Sequence, residues 1–169
     1  MTAQYRTGIG FDVHPFSDDP SRTLVLGGVV FHGEAGLVGH SDADVVCHAV
    51  ADALLGAAGL GDLGEHFPDN DPSLVGADSI GILRSVTDWV ESAGWRCANA
   101  DLTVVAERPK IGPMRAAMTA RIEEILDAPV NVKATRAEGL GAIGRAEGIA
   151  CWSTVLLVSL SSPGSSRSF

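Results

Sequence analysis

The chain has 169 residues, of which 46% are hydrophobic, and it carries a formal net charge of −9. This length suits one domain with its own core. The acidity argues against a nucleic-acid partner, because affinity for phosphate backbones depends on Lys and Arg. The longest apolar run, IACWSTVLLVSL, has 12 residues and is too short to span a bilayer. The three cysteines form no Cys-x-x-Cys pair, which favours a reducing, cytoplasmic compartment.

Apolar periodicity predicts the elements of the first half of the chain. Residues 5–13 alternate as a strand, and RTLVLGGVVFHG (22–33) predicts a hairpin that turns at Gly27-Gly28. A helix follows within 39–59, with Ser41 or Asp42 as its expected cap. Residues 59–76 form an eighteen-residue loop rich in Gly, Pro and acids, long enough to suggest a function.

The second half alternates between helices and strands. We predict helices at 76–94 and 114–126, and strands at 95–107, 128–134 and 149–160. The order predicts an α/β protein of the α+β type, in which one mixed sheet has helices packed on one face. A single domain would cover residues 1–160, and the Ser-rich residues 161–169 are expected to be a disordered tail.

The strand motif GFDVHPF brings together two metal-binding residue types. Asp12 and His14 are two residues apart and therefore share a face of the strand. His48 lies in the first predicted helix, where Asp44 and Asp52 share its face. If strand and helix pack together, Asp12, His14 and His48 make a three-ligand zinc set with an open fourth position. The alternative is a surface pair or a simple hydrogen bond, with Asp44 and Asp52 on the helix surface or supporting a ligand.

Two further segments suggest anion or cation binding. His40 and Ser41 precede a helix, whose N-terminal N–H groups favour an anion, although plain capping explains them equally. Glu138 lies in the Gly-rich run ATRAEGLGAIGRAEG and could bind a hard divalent ion. The alternative for that run is an ordinary glycine-rich turn.

Taken together, several motifs resemble one enzyme family over about residues 6–158. The segments are GFDVHPF, GHSDADVVCHAVADALLGAAGLGDLGEHFPDNDP, GADS, ERPKI, NVKAT and GRAEGIA. They resemble the 2-C-methyl-D-erythritol 2,4-cyclodiphosphate synthase family of the non-mevalonate isoprenoid pathway. The resemblance implies a phosphorus–oxygen lyase that cyclises 4-diphosphocytidyl-2-C-methyl-D-erythritol 2-phosphate and releases CMP. It also implies a homotrimer with active sites between subunits, and no membrane or nucleic-acid partner.

The resemblance also assigns roles to positions of this sequence. Asp12, His14 and His48 match ligands of zinc or another divalent transition metal, and Glu138 matches a ligand of a second ion, Mg²⁺ or Mn²⁺. His40 matches a catalytic position that holds the attacking 2-phosphate together with Ser41. The positions that match substrate-binding residues are Ser41, Asp62, Gly64, Phe67, Pro68, Asp69, Asp71, Ala106, Pro109, Lys110, Ile111, Thr135 and Arg145.

Several positions depart from the family pattern, and three of them bear on the substrate site or the assembly. Arg136 stands where the family has a threonine with a transition-state role, and Ala142 replaces an aromatic of the substrate pocket. Trp152 stands where a polar or acidic residue often faces the trimer axis. Two alternatives therefore remain: a metal-dependent phosphohydrolase, and a trimer that binds a nucleotide or isoprenoid with weakened turnover.

Overall fold

The structure is a computed structural model that describes residues 3–68 and 76–160. Six strands occur in these ranges: β1 Tyr5–Pro15, β2 Thr23–Leu26, β3 Val29–Ala35, β4 Trp95–Val105, β5 Val130–Thr135 and β6 Gly148–Ser159. The α-helices of these ranges are α1 Val45–Ala58, α2 Leu63–His66, α3 Ser79–Ser92, α4 Arg115–Leu126 and α5 Gly141–Gly144. The predicted tail at 161–169 lies outside the described residues.

A four-stranded sheet with the order β1-β6-β4-β5 forms the centre of the fold. The β1–β6 and β6–β4 pairs are antiparallel, whereas β4 and β5 are parallel and are joined through α4. Helix α1 packs on β1 and β6, α3 packs on α1, and α4 packs on β5. The prediction of a mixed α/β domain is confirmed. The predicted hairpin is β2–β3, which turns at Gly27-Gly28.

Two glycines allow β1 and α1 to approach closely. A Cβ atom at Gly8 would lie 2.0 Å from the carbonyl oxygen of Ala53, and one at Gly10 would lie 2.0 Å from that of Ala49. Because alternate residues of a strand share a face, the side chains of Asp12 and His14 point to the same side as these glycines. The close approach therefore brings both of them to the first turn of α1.

Helix α1 begins later than predicted, and a different residue caps it. Asp44 is the N-cap, and its side chain accepts hydrogen bonds from the backbone N–H groups of Val46 and Cys47. The same carboxylate accepts from Gly27 N at 2.8 Å and from Gly28 N at 2.7 Å, and it is completely buried. The sequence predicted Ser41 or Asp42 as the cap and a helix-surface position for Asp44, and both predictions were wrong. The Asp44 carboxylate is buried because it joins the first turn of α1 to the hairpin turn.

The two faces of the sheet differ in their cover. The inner face packs against the helices around a core that includes Leu102, Val104 and Leu157. The outer face carries apolar side chains that remain exposed, among them Ile9, Phe11 and Trp152. The rings of Phe11 and Trp152 lie 4.6 Å apart between centroids. Within the described ranges, no helix has the length and apolar character needed to cross a membrane.

Candidate active site

Asp12, His14 and His48 meet at one end of the sheet, as the sequence predicted. Their potential ligand atoms all lie within 4.8 Å of one another. Asp12 Oδ2 is 3.2 Å from His14 Nε2 and 3.0 Å from His48 Nδ1. Ligands of a tetrahedral zinc ion, each about 2.0–2.1 Å from the metal, are separated by about 3.3 Å. The donor types and the two separations from Asp12 therefore fit a zinc-type ion.

The second ring nitrogen of His48 faces two serine hydroxyls. His48 Nε2 lies 2.9 Å from Ser79 Oγ and 3.2 Å from Ser41 Oγ. If Nε2 carries the single proton of a neutral ring, Nδ1 has only a lone pair to present to the Asp12 carboxylate. Two lone pairs at hydrogen-bond distance repel each other unless a cation lies between them. The arrangement therefore favours the metal hypothesis over a simple histidine–aspartate hydrogen bond.

The electrostatics of Asp12 suit a metal ligand. Burial alone would raise the pKa of Asp12, but when the rings of His14 and His48 are protonated their hydrogen bonds and charges outweigh it. The resulting pKa lies well below the ordinary value of 3.8. Asp12 is therefore a carboxylate at neutral pH, which is the form that binds a metal.

A cavity of about 420 Å³ opens beside the three donors. Nine of the predicted site residues line it, namely Asp12, His14, His40, Ser41, His48, Asp62, Gly64, Phe67 and Pro68. Asp52, which was expected to share a helix face with His48, completes the wall with Phe11, Leu63 and Ile82, which the sequence did not indicate as site residues. The structure thus brings the metal donors, the segment before α1 and the loop after α1 to one space.

Ser41 is held by its backbone and its hydroxyl. Its carbonyl oxygen accepts a hydrogen bond from Arg22 Nη2 at 2.9 Å, and its Oγ accepts one from Ala43 N at 3.1 Å. Neighbouring His40 is exposed, and its carbonyl oxygen accepts from Gly76 N at 2.7 Å. These contacts fix the segment next to the cavity, so its side chains can face a ligand there.

The loop after α1 is held against the body of the protein by polar and aromatic contacts. Asp62 caps α2 by accepting from Glu65 N at 2.9 Å. Asp52 accepts from Leu63 N at 3.3 Å, and burial raises the pKa of Asp52. The Phe67 ring stacks on Trp89 of α3 with centroids 5.6 Å apart. The other two predicted loop residues, Asp69 and Asp71, lie outside the described residues.

The remaining predicted residues form a second group, which lies in the segment after β4 and in the stretch from the end of β5 to the start of β6. This group comprises Ala106, Pro109, Lys110, Ile111, Thr135, Glu138 and Arg145, none of which lines the cavity within one chain. Ala106 N donates to the carbonyl oxygen of Thr135 at 3.1 Å, which joins the two segments. Arg145 Nε donates to Glu147 at 2.6 Å. Glu138 has a φ of 52°, in the left-handed region, and lies outside the three-donor cluster.

Arg136 is held by a contact that its sequence position did not reveal. Its Nε donates to Glu107 Oε2 at 2.7 Å, and its Nη2 lies 2.5 Å from the same oxygen. Glu107 Oε1 also accepts from Ala137 N at 3.0 Å. The guanidinium therefore bridges the segment after β5 to the segment after β4.

Ser79 contacts the metal-donor cluster, and the sequence did not predict this contact. It is completely buried at the start of α3 and contacts His48 across the fold. The GADS motif pointed to its segment but gave its side chain no role. Its partner His48 is 31 positions earlier in the chain, so a local pattern could not reveal the contact.

Comparisons with known proteins agree with this geometry. Residues 5–158 match the YgbB family. The 2-C-methyl-D-erythritol 2,4-cyclodiphosphate synthase of Bordetella pertussis is 54% identical over 160 residues, which cover 93% of this chain and 98% of the relative. The bifunctional enzyme IspD/IspF of Anaeromyxobacter dehalogenans is 52% identical over 161 residues. The match covers 94% of this chain but only 41% of that longer protein.

A solved structure shows the same fold. The Plasmodium falciparum IspF in complex with CDP superposes with a TM-score of 0.80 at 32% identity. The match covers 93% of this chain and 97% of that chain. The similarity therefore extends over most of the chain.

Proposed function

The chain belongs to the YgbB family, and from that membership we propose that it cyclises 4-diphosphocytidyl-2-C-methyl-D-erythritol 2-phosphate. In this reaction an oxygen of the 2-phosphate forms a bond to the β-phosphorus of the diphosphate. The bond from that phosphorus to the bridging oxygen breaks, and its electron pair leaves with CMP. The product is 2-C-methyl-D-erythritol 2,4-cyclodiphosphate, an intermediate of non-mevalonate isoprenoid biosynthesis.

The cluster of Asp12, His14 and His48 in the wall of the cavity is the observation that carries this proposal. The reaction needs positioning and neutralisation of charge more than a protein nucleophile. The substrate is a polyanion, whereas this chain has a net charge of −9. A bound cation at the cluster would reverse the local sign of the potential.

We assign zinc or another divalent transition metal to Asp12, His14 and His48. When bound, the ion supplies Lewis-acid neutralisation of the β-phosphate. The protein's part is to hold the substrate. His40 and Ser41, both on the cavity wall, bind the attacking 2-phosphate, with His40 as the catalytic residue. Asp62, Gly64, Phe67 and Pro68 hold the erythritol portion, together with Asp69 and Asp71 of the same loop.

The second group of predicted residues supplies the cytidine and diphosphate sites in this proposal. The segment with Ala106, Pro109, Lys110 and Ile111 receives cytosine, and Thr135 and Arg145 bind the diphosphate. Glu138 binds the second divalent ion, Mg²⁺ or Mn²⁺. The CDP complex of the Plasmodium falciparum relative supports a cytidine site in a protein of this fold.

The proposed assembly is a homotrimer in which the cavity of one subunit meets the second group of its neighbour. Two observations support it. The second group does not line the cavity of its own chain. The outer face of the sheet also exposes large apolar side chains, with Ile9 67% and Trp152 43% accessible.

The proposed compartment is the cytoplasm, which the three buried, unpaired cysteines support.

A metal-dependence experiment tests the proposal. The protein is stripped with a chelator, and CMP release from the diphosphocytidyl substrate is followed with zinc and magnesium added back. Activity should return with the metals for the wild type and stay absent for His48→Ala. Arg84→Ala, which removes an exposed ion pair with Glu124, is the control and should behave as wild type. A wild-type protein that binds zinc but releases no CMP would contradict the proposal.

A further inference from the structure

Ser79 links the metal-donor cluster to the half-buried carboxylate of Asp42. Its hydroxyl donates to Asp42 Oδ1 in a very short hydrogen bond, and its backbone N–H donates to Asp42 Oδ2 at 3.1 Å. The same hydroxyl oxygen lies 2.9 Å from His48 Nε2. Ser79 is completely buried, and it is absent from the cavity wall.

The direction of each hydrogen bond follows from the number of protons available. A carboxylate only accepts, and a serine hydroxyl has one proton to donate. Because Ser79 gives that proton to Asp42, its oxygen can interact with His48 only as an acceptor. His48 Nε2 must then carry the proton, and a neutral ring keeps its lone pair on Nδ1. Nδ1 is the atom that lies 3.0 Å from Asp12 Oδ2.

We propose that Ser79 and Asp42 are positioning residues that hold His48 in the Nε2–H tautomer, with Nδ1 directed at the metal. This inference rests on the proposed function of the cluster as a metal centre. Neither residue lines the cavity or belongs to the three-donor cluster. Partners of this kind fix the orientation of a ligating imidazole and increase its basicity, and their loss typically weakens metal affinity by about 10–100-fold.

The same arrangement orients Ser41. Its oxygen lies 3.2 Å from His48 Nε2 and already accepts from Ala43 N. With the imidazole proton between Ser79 and Ser41, both oxygens act as acceptors toward the ring. The Ser41 proton is then directed away from His48, and Ser41 lines the cavity. A hydroxyl so directed is a donor suited to an anionic ligand.

Two variants test the positioning role. Ser79→Ala removes the acceptor for Nε2–H. Asp42→Asn lets the amide donate to Ser79, so that the Ser79 proton turns toward His48 and favours the Nδ1–H tautomer. Ser85→Ala is the matched control, because Ser85 is on the same helix and its hydroxyl donates only to Gly81 O, at 3.0 Å, among the contacts described.

Three readouts separate this role from a merely structural one. Nitrogen NMR of the zinc-loaded protein reports which ring nitrogen of His48 carries the proton, competition with a chelator gives the zinc affinity, and the visible spectrum of the Co²⁺ form reports ligand geometry. We expect an Nε2–H ring in the wild type and in Ser85→Ala. Zinc affinity should fall about 10–100-fold in Ser79→Ala and Asp42→Asn, with an altered Co²⁺ spectrum.

An Nδ1–H ring in the wild type would overturn the inference, as would wild-type zinc affinity in both variants. These results are distinct from a failure of the proposed function. That failure would appear as a wild-type protein that binds zinc with an Nε2–H ring but releases no CMP.

Discussion

Among single residues, Arg136 shows how the structure changes an interpretation drawn from sequence. It stands at a position where the family resemblance implies a threonine with a transition-state role. In this chain the guanidinium is paired with Glu107, although the side chain is largely exposed. Arg136 therefore acts first as a link between the ends of β4 and β5. The sequence could not reveal this, because Glu107 is 29 positions away.

We predict that Arg136→Ala raises the pKa of Glu107. The hydrogen bond with Arg136 is the main cause that holds this pKa below its ordinary value of 4.5. A lowered folded-state pKa means that the pair stabilises the fold above pH 4.5, and that this contribution is lost as the pH falls through the folded value. Carbon NMR of the Glu107 carboxyl measures the shift. Arg145→Ala, which loses a pair with Glu147, should leave Glu107 unchanged. An unshifted Glu107 in Arg136→Ala would refute the assignment.

Asp44 gives a stability prediction. Its buried carboxylate accepts four backbone N–H groups, from Gly27, Gly28, Val46 and Cys47. Asp44→Ala leaves these donors without an acceptor, and we expect a loss of about 3 kcal/mol or more in the free energy of unfolding. Denaturant titration measures it. Asp19→Ala is the control, since Asp19 is an exposed turn residue that bonds only locally to Ser21. Similar losses in both variants would show that Asp44 has no special role.

At the scale of elements, the contact between β1 and α1 determines the geometry of the site. Strand alternation predicted that Asp12 and His14 share a face, and helical periodicity placed His48 in α1. The sequence alone left open whether the two elements pack together. The sequence did not reveal the close approach of β1 and α1 at Gly8 and Gly10. A glycine in a strand is equally compatible with a close contact, a bulge or a bend.

We predict that Gly10→Ala weakens both stability and metal binding. The added methyl would meet Ala49 O at 2.0 Å, so the helix must move away from the strand. The expected loss is about 1–3 kcal/mol in the free energy of unfolding, together with weaker zinc affinity because Asp12 and His48 separate. Thermal unfolding with and without zinc measures both effects.

Gly56→Ala, on the helix that packs against Gly10, is the matched control. Gly56 is exposed in α1, and nothing lies within 4 Å of an added Cβ. This change should leave zinc binding intact and stabilise the helix by up to about 1 kcal/mol. If Gly10→Ala and Gly56→Ala have the same effect on stability and on zinc affinity, the close approach of β1 and α1 does not determine the geometry of the site.

At the scale of the whole molecule, the sequence predicted the sheet and its helical cover but not how the outer face is used. Alternation along β1 places Ile9 and Phe11 on the face opposite Asp12, and periodicity does not show whether such an apolar face is covered or exposed. The structure leaves Ile9, Phe11 and Trp152 accessible in the single chain. In the proposed trimer, the division of the predicted site residues into two groups has the same origin, since contacts between subunits would leave no periodic signal in the sequence.

We predict that Ile9→Glu dissociates the proposed trimer and abolishes most of its activity. Ile9 is 67% exposed in one chain, so the charge is tolerated by the fold but not by an apolar interface. Sedimentation velocity gives the mass of the assembly, and metal content reports the integrity of the three-donor cluster. Ala120→Glu on the exposed side of α4 is the control and should keep the wild-type assembly. A wild-type protein that sediments as a monomer while active would contradict this account.

The most direct test of the central claim is the identity of the product formed in ¹⁸O-enriched water. The diphosphocytidyl substrate is incubated with the zinc- and magnesium-loaded protein, and the products are followed by phosphorus NMR and mass spectrometry. Cyclisation predicts CMP and the cyclic diphosphate in equal amounts, with no solvent oxygen in either, because the attacking oxygen comes from the 2-phosphate. Linear phosphate products that carry ¹⁸O would instead identify a metal-dependent hydrolase and contradict the account.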